Sequence, residues 1–297
     1  MKKLLFIMNP VSGQKKANRY LPEIIGLFNR AGWEVTVHIT GGQGDALDTA
    51  ATRARGMDRV VCCGGDGTIN EVVSGLLQSG THVPIGYIPT GSTNDFAASL
   101  KLPGSVLQAA RVAIEGVPTA YDVGKFGSRY FSYVASFGAF TRTSYATPQN
   151  IKNALGHTAY LLSGIQELSQ LRKEHIRIEL EDRVIEDDFL FGAISNSTSV
   201  GGILSLDPEQ VDMGDGLMEL LLVRMPRNLT EITECIQAVQ AGRYNDCAMI
   251  TFCSARRMTI YADPGITWTL DGERCEGAGE IYVENLHHAI RLIRKAD

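Results

Sequence analysis

Apolar and polar positions along the first third of the chain repeat one unit, a short apolar run, a polar turn and a stripe at helical spacing. Residues 4–8 form the first run, and Asn9-Pro10-Val11-Ser12-Gly13 the first turn. Leu21, Ile24, Ile25 and Phe28 then lie on one helical face that ends near Gly32. Val35, Val37 and Ile39 alternate, which predicts a strand over 33–39. Thr40-Gly41-Gly42-Gln43-Gly44-Asp45 turns that strand into a helix reaching Arg55. Arg59-Val60-Val61-Cys62-Cys63 is too short for a helix and rich in strand formers, and Ile69, Val72, Val73, Leu76 and Leu77 mark the helix after it. The fourth unit is a strand over 85–88 feeding the small, polar segment 89–96. Strand–turn–helix units in succession predict a parallel sheet covered by helices. Ligands of such sheets sit beyond the carboxyl ends of the strands, so the four turns are expected to converge there.

The rhythm changes near Tyr121. Segments 121–126 and 129–135 read as consecutive strands, and a helical insertion is expected over 149–171. Alternating runs follow at Ile176/Ile178/Leu180, 189–194, 217–223, 250–252, 258–261, 266–270 and 281–283, with one further helix through Leu229, Ile232, Ile236 and Val239. This is the pattern of a mostly antiparallel β domain. The expected fold class is therefore α/β plus β, with domains at 1–122 and 123–286. A strand over 289–293 in the terminal segment 287–297 is taken to rejoin the first domain.

Composition narrows the class. Of 297 residues, 44% are hydrophobic and 21% charged, as in globular proteins with a substantial core. The net charge of −5 lacks the basic footprint of a nucleic-acid binder, so no nucleic-acid partner is expected. The six cysteines form no C-x-x-C pair and several lie in apolar runs, which reads as reduced thiols in a cytoplasmic protein. The six histidines show no zinc-ligand spacing; His287 and His288 are adjacent. The apolar run at 4–8 leads straight into Asn9-Pro10 and reads as a strand, not as the core of a secretion signal. No apolar run approaches the roughly 20 residues of a membrane-spanning helix, so any membrane contact is expected to be peripheral.

The candidate chemistry centres on Gly64-Gly65-Asp66-Gly67-Thr68-Ile69-Asn70. Glycines let a ligand approach the backbone, and N–H groups at a helix start favour anions. Asp66 offers a carboxylate for a metal ion or a reacting hydroxyl, and Thr68 and Asn70 further hydrogen bonds; the plainer reading is a helix start with Asp66 as its cap. The chain lacks G-x-x-x-x-G-K-[ST] and G-x-G-x-x-G, which argues against a P-loop NTPase, a protein kinase or a dinucleotide Rossmann fold. Asp215-Gly216 and Asp271-Gly272 are hairpin signals in their own right, and Asp95 suits a charge at a helix start.

Taken together, NPVSG at 9–13, GGDGTINEV at 64–72 and PTGSTNDFA at 89–97 resemble the diacylglycerol kinase catalytic family, in its bacterial lipid-kinase branch. YDVGK at 121–125, GHTAYLLSGI at 156–165, DGL at 215–217 and LDGE at 270–273 continue the likeness in order. GGDGT is shared with NAD kinases and phosphofructokinases; its union with GSTND and a late LDGE is more specific. The resemblance implies an N-terminal α/β nucleotide-binding domain, a C-terminal β-sandwich-like domain and an active site in the cleft between them. It implies transfer of the γ-phosphoryl group of ATP to a lipid hydroxyl with Mg²⁺, most directly diacylglycerol to phosphatidic acid.

By position, Asn9, Thr40, Gly64, Gly65, Asp66, Gly67, Thr68, Ile69, Asn70 and Thr93 would hold ATP, and Glu273 would be the general base with Asp66 nearby. The Asp215 carboxylate and the carbonyls of Asp212 and Leu217 would bind a structural Mg²⁺, with Asp95 and Asp122 linked through water. The segment 205–214 departs from the family's usual approach to its DG. The implied partner is a lipid substrate at a membrane surface, and a homodimer is left open. Lys15, Lys16, Arg19 and Lys152 are either an attraction to anionic lipid or a solvated face, and the apolar residues of 149–171 either a lipid entrance or core. Two other functions stay open: an NAD-kinase-type phosphotransferase acting on a soluble hydroxyl, and a non-catalytic nucleotide- or lipid-binding regulator.

Overall fold

The computed structural model describes residues 1–13, 16–138, 172–200, 204–206 and 211–295. The helix expected over 149–171, the motif at 156–165, Lys15 and Lys152 lie outside the described residues. In chain order the elements begin β1 (Lys2–Met8), α1 (Lys16–Arg30), β2 (Trp33–Ile39), α2 (Asp45–Arg53), β3 (Arg59–Gly64), α3 (Asp66–Gln78) and β4 (Ile85–Pro89). Next come α4 (Asp95–Ser99), α5 (Val106–Glu115), β5 (Val117–Phe126), β6 (Arg129–Phe131), β7 (Val134–Gly138), β8 (Glu174–Glu179) and β9 (Val184–Ser195). The remainder is β10 (Ser199–Val200), β11 (Leu204–Ser205), β12 (Met218–Arg224), α6 (Leu229–Gln240), β13 (Ile250–Ala255), β14 (Arg257–Ala262), β15 (Thr267–Leu270), β16 (Glu273–Glu276) and β17 (Glu280–Arg294).

The chain divides into two compact units. The first contains 1–123, 213–216 and 286–297, and the second 124–212 and 217–285. In the first unit the strands run in the order β17-β4-β3-β1-β2, every neighbouring pair parallel. Leu4, Phe6, Met8, Val61 and Cys63 pack with Ile24 and Phe28 of α1 and Ala109 and Ala113 of α5. Side chains alternate along a strand, so Leu5, Ile7, Val60 and Cys62 point to the opposite face, and they are just as buried. A sheet covered on both faces is why these strands read as unbroken apolar runs. The edge strand differs: Val37 and Ile39 form the expected alternation but are 40% and 51% exposed.

Among the described residues of the second unit, β6 to β16 pair antiparallel with their neighbours. The twelve-residue β9 organises it, pairing with β8 through its first half and with β7 and β12 through its second. A strand shared in this way carries the chain from one sheet layer to another, as in a sandwich. Trp268 fills the core between Phe126 and Phe137, with both ring centroids 4.8 Å from its own.

The structure corrects two expectations. The single strand expected over 129–135 is broken into β6 and β7, because the backbone N–H groups of Ser132, Tyr133 and Val134 are drawn to the Asp271 carboxylate instead of a neighbouring strand. The separate strands expected over 281–283 and 289–293 are one element, β17, of 15 residues. It pairs antiparallel to β14 through 280–284 and parallel to β4 at Leu292, and His288 between them has a left-handed backbone, φ 51°. Helix α5 is not among the elements that the apolar pattern predicts. Its apolar stripe is built largely of alanine, a weak periodic signal.

Candidate active site

In the first unit the four polar turns do converge, and hydrogen bonds lock them together. Asn9 donates its backbone N–H to the Cys63 carbonyl, 2.9 Å, and its side-chain amide to Thr68 Oγ1, 3.1 Å. Thr40 donates to the Met8 carbonyl and Thr90 to the Gly64 carbonyl, at 2.9 and 2.8 Å. The turn before α2 is held by two carboxylates. Asp45 Oδ2 accepts from Gly41 N–H at 2.6 Å, and Glu71 of α3 accepts from Gly44 and Ala46. The Gly41 N–H and, after it, His38 hold the Asp45 carboxyl below the usual carboxylate range.

Two glycine turns touch. A Cβ added to Gly91 would lie 2.6 Å from Gly65 Cα, so the close approach of these backbones is possible only without side chains. Gly65, the N-cap of α3, brings no side chain to the helix start. The first-turn N–H groups are thus the donors a phosphate can use. Asp66, the first residue of α3, reaches across to the next turn. Its carboxylate accepts from Asp95 N–H at 3.1 Å and Phe96 N–H at 3.2 Å, the start of α4. Asn94, with φ 56°, closes the turn by exchanging two hydrogen bonds with Gly91. The 64–70 segment is uneven: Ile69 is fully buried, so only its backbone can face a ligand, and the buried Thr68 hydroxyl is engaged by Asn9. Thr93 is exposed and Thr40 half-buried.

Asp122 and the segment of Asp215 form a second cluster in the same unit. Asp122, 1% exposed, accepts from Gly216 N–H at 2.7 Å, from His288 N–H at 2.7 Å and from His287 Nδ1 at 3.1 Å. Its own N–H donates to the Met213 carbonyl at 3.0 Å. The loop is therefore fixed from below while Asp215 itself stays exposed. Asp212 is also exposed, and the Leu217 carbonyl accepts from Asn285 Nδ2 at 2.8 Å.

Glu273, in the second unit, is half-buried at the start of β16 opposite Leu270. The two residues between them, Asp271 and Gly272, have φ 50° and 83°, the backbone a two-residue hairpin demands. Asp271 is 3% exposed, and its carboxylate accepts from Ser132, Tyr133 and Val134 N–H at 2.6, 3.0 and 3.0 Å. Those donors offset the desolvation of a buried charge and clamp the hairpin that carries Glu273.

The family described as the diacylglycerol kinase catalytic domain matches residues 3–126, and the one described as the YegS C-terminal NAD kinase beta sandwich-like domain matches 134–294. The diacylglycerol kinase of Bacillus subtilis (strain 168) is 33% identical over 275 residues, covering 92% of this chain and 90% of its own. The chain belongs to the diacylglycerol kinase family of enzymes. A diacylglycerol kinase of Staphylococcus aureus (strain MRSA252) is 31% identical over 273 residues, covering 92% and 86% of the two chains. Two solved chains from Bacillus anthracis str. Sterne share the fold. One has a TM-score of 0.82 at 25% identity, with 99% of this chain and 95% of that chain covered. The other, a diacylglycerol kinase crystal structure, has a TM-score of 0.80 at 24% identity, covering 99% and 97%. A kinase catalytic domain works on a nucleotide.

In this diacylglycerol kinase family member, the sequence pattern does not single out three residues of the candidate site. Asp271 reads only as a hairpin residue and Glu71 only as part of a motif, because what each carboxylate grips lies far off in sequence. Tyr87 is the third. It is 2% exposed, its hydroxyl has no hydrogen-bond partner among the described residues, and burial, with the charge of Asp66 next in weight, pushes its pKa well up. A neutral tyrosine hydroxyl beside the Asp66 turn is a hydrogen-bond donor held in reserve.

Proposed function

We propose that this protein transfers the γ-phosphoryl group of ATP to a lipid hydroxyl, diacylglycerol giving phosphatidic acid being the leading case. The observation that carries the reading is the contact of two glycine turns braced by Asp66, at the carboxyl end of a parallel sheet. Asn9, Thr40, Thr93 and the backbone of 64–70 hold the nucleotide. The residues fit: the start of α3, with a glycine as its N-cap, suits phosphate, and glycines keep the approach open. ATP supplies the phosphoryl group, and Mg²⁺ neutralises its spread charge. The exposed Asp215 carboxylate on its fixed loop has the oxygen chemistry a hard cation prefers, with the Asp212 and Leu217 carbonyls beside it in the chain. Asp95 and Asp122 would be linked to that ion through water.

Glu273 accepts the proton of the lipid hydroxyl as that oxygen attacks, and the Asp271 clamp holds it on a rigid hairpin. The substrate is taken from a membrane surface to which the protein binds peripherally. No helix among the described residues is long and apolar enough to cross a membrane.

Labelled-ATP transfer against a panel of lipids in mixed micelles, with NAD beside them, tests the reading. Label in the organic phase, dependent on Mg²⁺ and abolished by Glu273→Gln, is expected. Label only in NAD, or a Glu273→Gln variant with near-normal kcat, defeats respectively the lipid acceptor and the general base. Nucleotide binding with no transfer to any acceptor would leave a regulator.

A further inference from the structure

Neighbouring residues of a β-strand send their side chains to opposite faces. His287 and His288 lie within β17 and do not. The left-handed backbone of His288, φ 51°, breaks the alternation, and the two imidazoles stack with centroids 3.7 Å apart and planes 26° from parallel. A positive φ at a non-glycine residue is a conformation that surrounding structure has to hold in place. Here it gathers two nitrogen ligands on one side of the strand, against the buried carboxylate of Asp122.

We propose that Asp122, His287 and His288 bind a divalent transition-metal ion of the zinc and cobalt class. One ligating atom from each lies within 4.8 Å of the others. His287 Nδ1 and Asp122 Oδ1 are already 3.1 Å apart, about the spacing of two ligands on one tetrahedral ion with bonds near 2.0–2.1 Å. Nearly parallel rings cannot both aim a nitrogen at one ion, so binding turns the exposed His288 ring out of the stack and away from the Gly214 carbonyl. Asp122 is oriented by Gly216 N–H and His288 N–H, so the carboxylate side of the site is fixed in advance. Two imidazoles and one carboxylate favour a borderline ion over Mg²⁺, which prefers oxygen. The site shares Asp122 with the surroundings assigned to the Asp215 ion but uses none of that ion's direct ligands, and it stands whether or not the kinase reading does. It also gives a transition ion a hold on loop 213–216, through the Asp122 carboxylate that positions it.

The test uses the metal-free full chain titrated with Co²⁺, followed by the visible ligand-field spectrum. A saturable band with nitrogen ligation is expected, persisting in excess Mg²⁺ and in Asp215→Asn. His287→Gln and His288→Asn, the latter tolerant of a left-handed backbone, are each expected to weaken binding beyond the roughly 10–100-fold that loss of an outer partner causes. Both rings are exposed, and circular dichroism of each variant checks that the fold is kept. Absence of a saturable band, a band unchanged in both histidine variants, or its loss in Asp215→Asn would each overturn the site.

Discussion

The carboxylate of Asp66 accepts a hydrogen bond from the backbone N–H of Asp95 at 3.1 Å, so the third polar turn of the sheet closes the helix start of the fourth. The residue placed by sequence at a reaction centre is also a brace between turns. Asp66→Ala leaves the N–H groups of Asp95 and Phe96 without this acceptor and is expected to destabilise the protein by about 1–3 kcal/mol. Asp66→Asn keeps one acceptor oxygen and should lose less stability while losing most of the turnover. Urea midpoints measured beside kcat separate the two roles, and equal stability loss in both variants would contradict the bracing geometry.

Asp271 should behave as a positioning residue for Glu273. Removing its carboxylate in Asp271→Ala strands three buried N–H groups, with an expected loss of about 3 kcal/mol or more. Asp271→Asn tolerates the left-handed turn and retains one acceptor, so intermediate stability is expected. Its kcat should fall with little change in the KM for ATP. A rise confined to the KM for ATP would place Asp271 with the nucleotide instead.

Gly91→Ala tests the contact of the two turns. Its Cβ would press on the Gly65 backbone at 2.6 Å, and backbone cannot rotate away as a side-chain tip does. Overpacking of this kind costs about 1–3 kcal/mol. Nucleotide affinity is expected to fall more than lipid affinity, read by calorimetric titration; unchanged nucleotide binding would remove these turns from the site.

The Asp45 turn should be acid-sensitive. Its carboxyl pKa is lowered from 3.8 on folding, chiefly by Gly41 N–H and then by His38. The ionised form is therefore favoured in the folded state. Its contribution is complete above the unfolded value and fades as pH falls through the folded one. For a group this exposed the contribution is at most about 1 kcal/mol. Asp45→Asn should lower the thermal midpoint at neutral pH, with the gap from the parent closing below pH 3.8. A gap that widens in acid would reverse the sign.

Local chemistry makes much of this protein legible in its sequence. The unbroken apolar runs at 4–8 and 60–63 predict doubly covered parallel strands, because a strand buried on both faces has no polar side to alternate with. The glycine turns follow from the same rhythm, and Asp271-Gly272 from hairpin geometry. Partners distant in the chain are beyond the reach of such patterns. Asp271 meets Ser132, Asp122 meets Gly216 and His288, and Glu71 meets Gly44, each through a side chain and a backbone N–H. Backbone N–H groups are the same at every residue and leave no mark in the sequence. Only the tertiary structure decides which carboxylate collects them, because burial makes an unpaired N–H expensive and the fold alone sets which acid lies within about 3 Å of it.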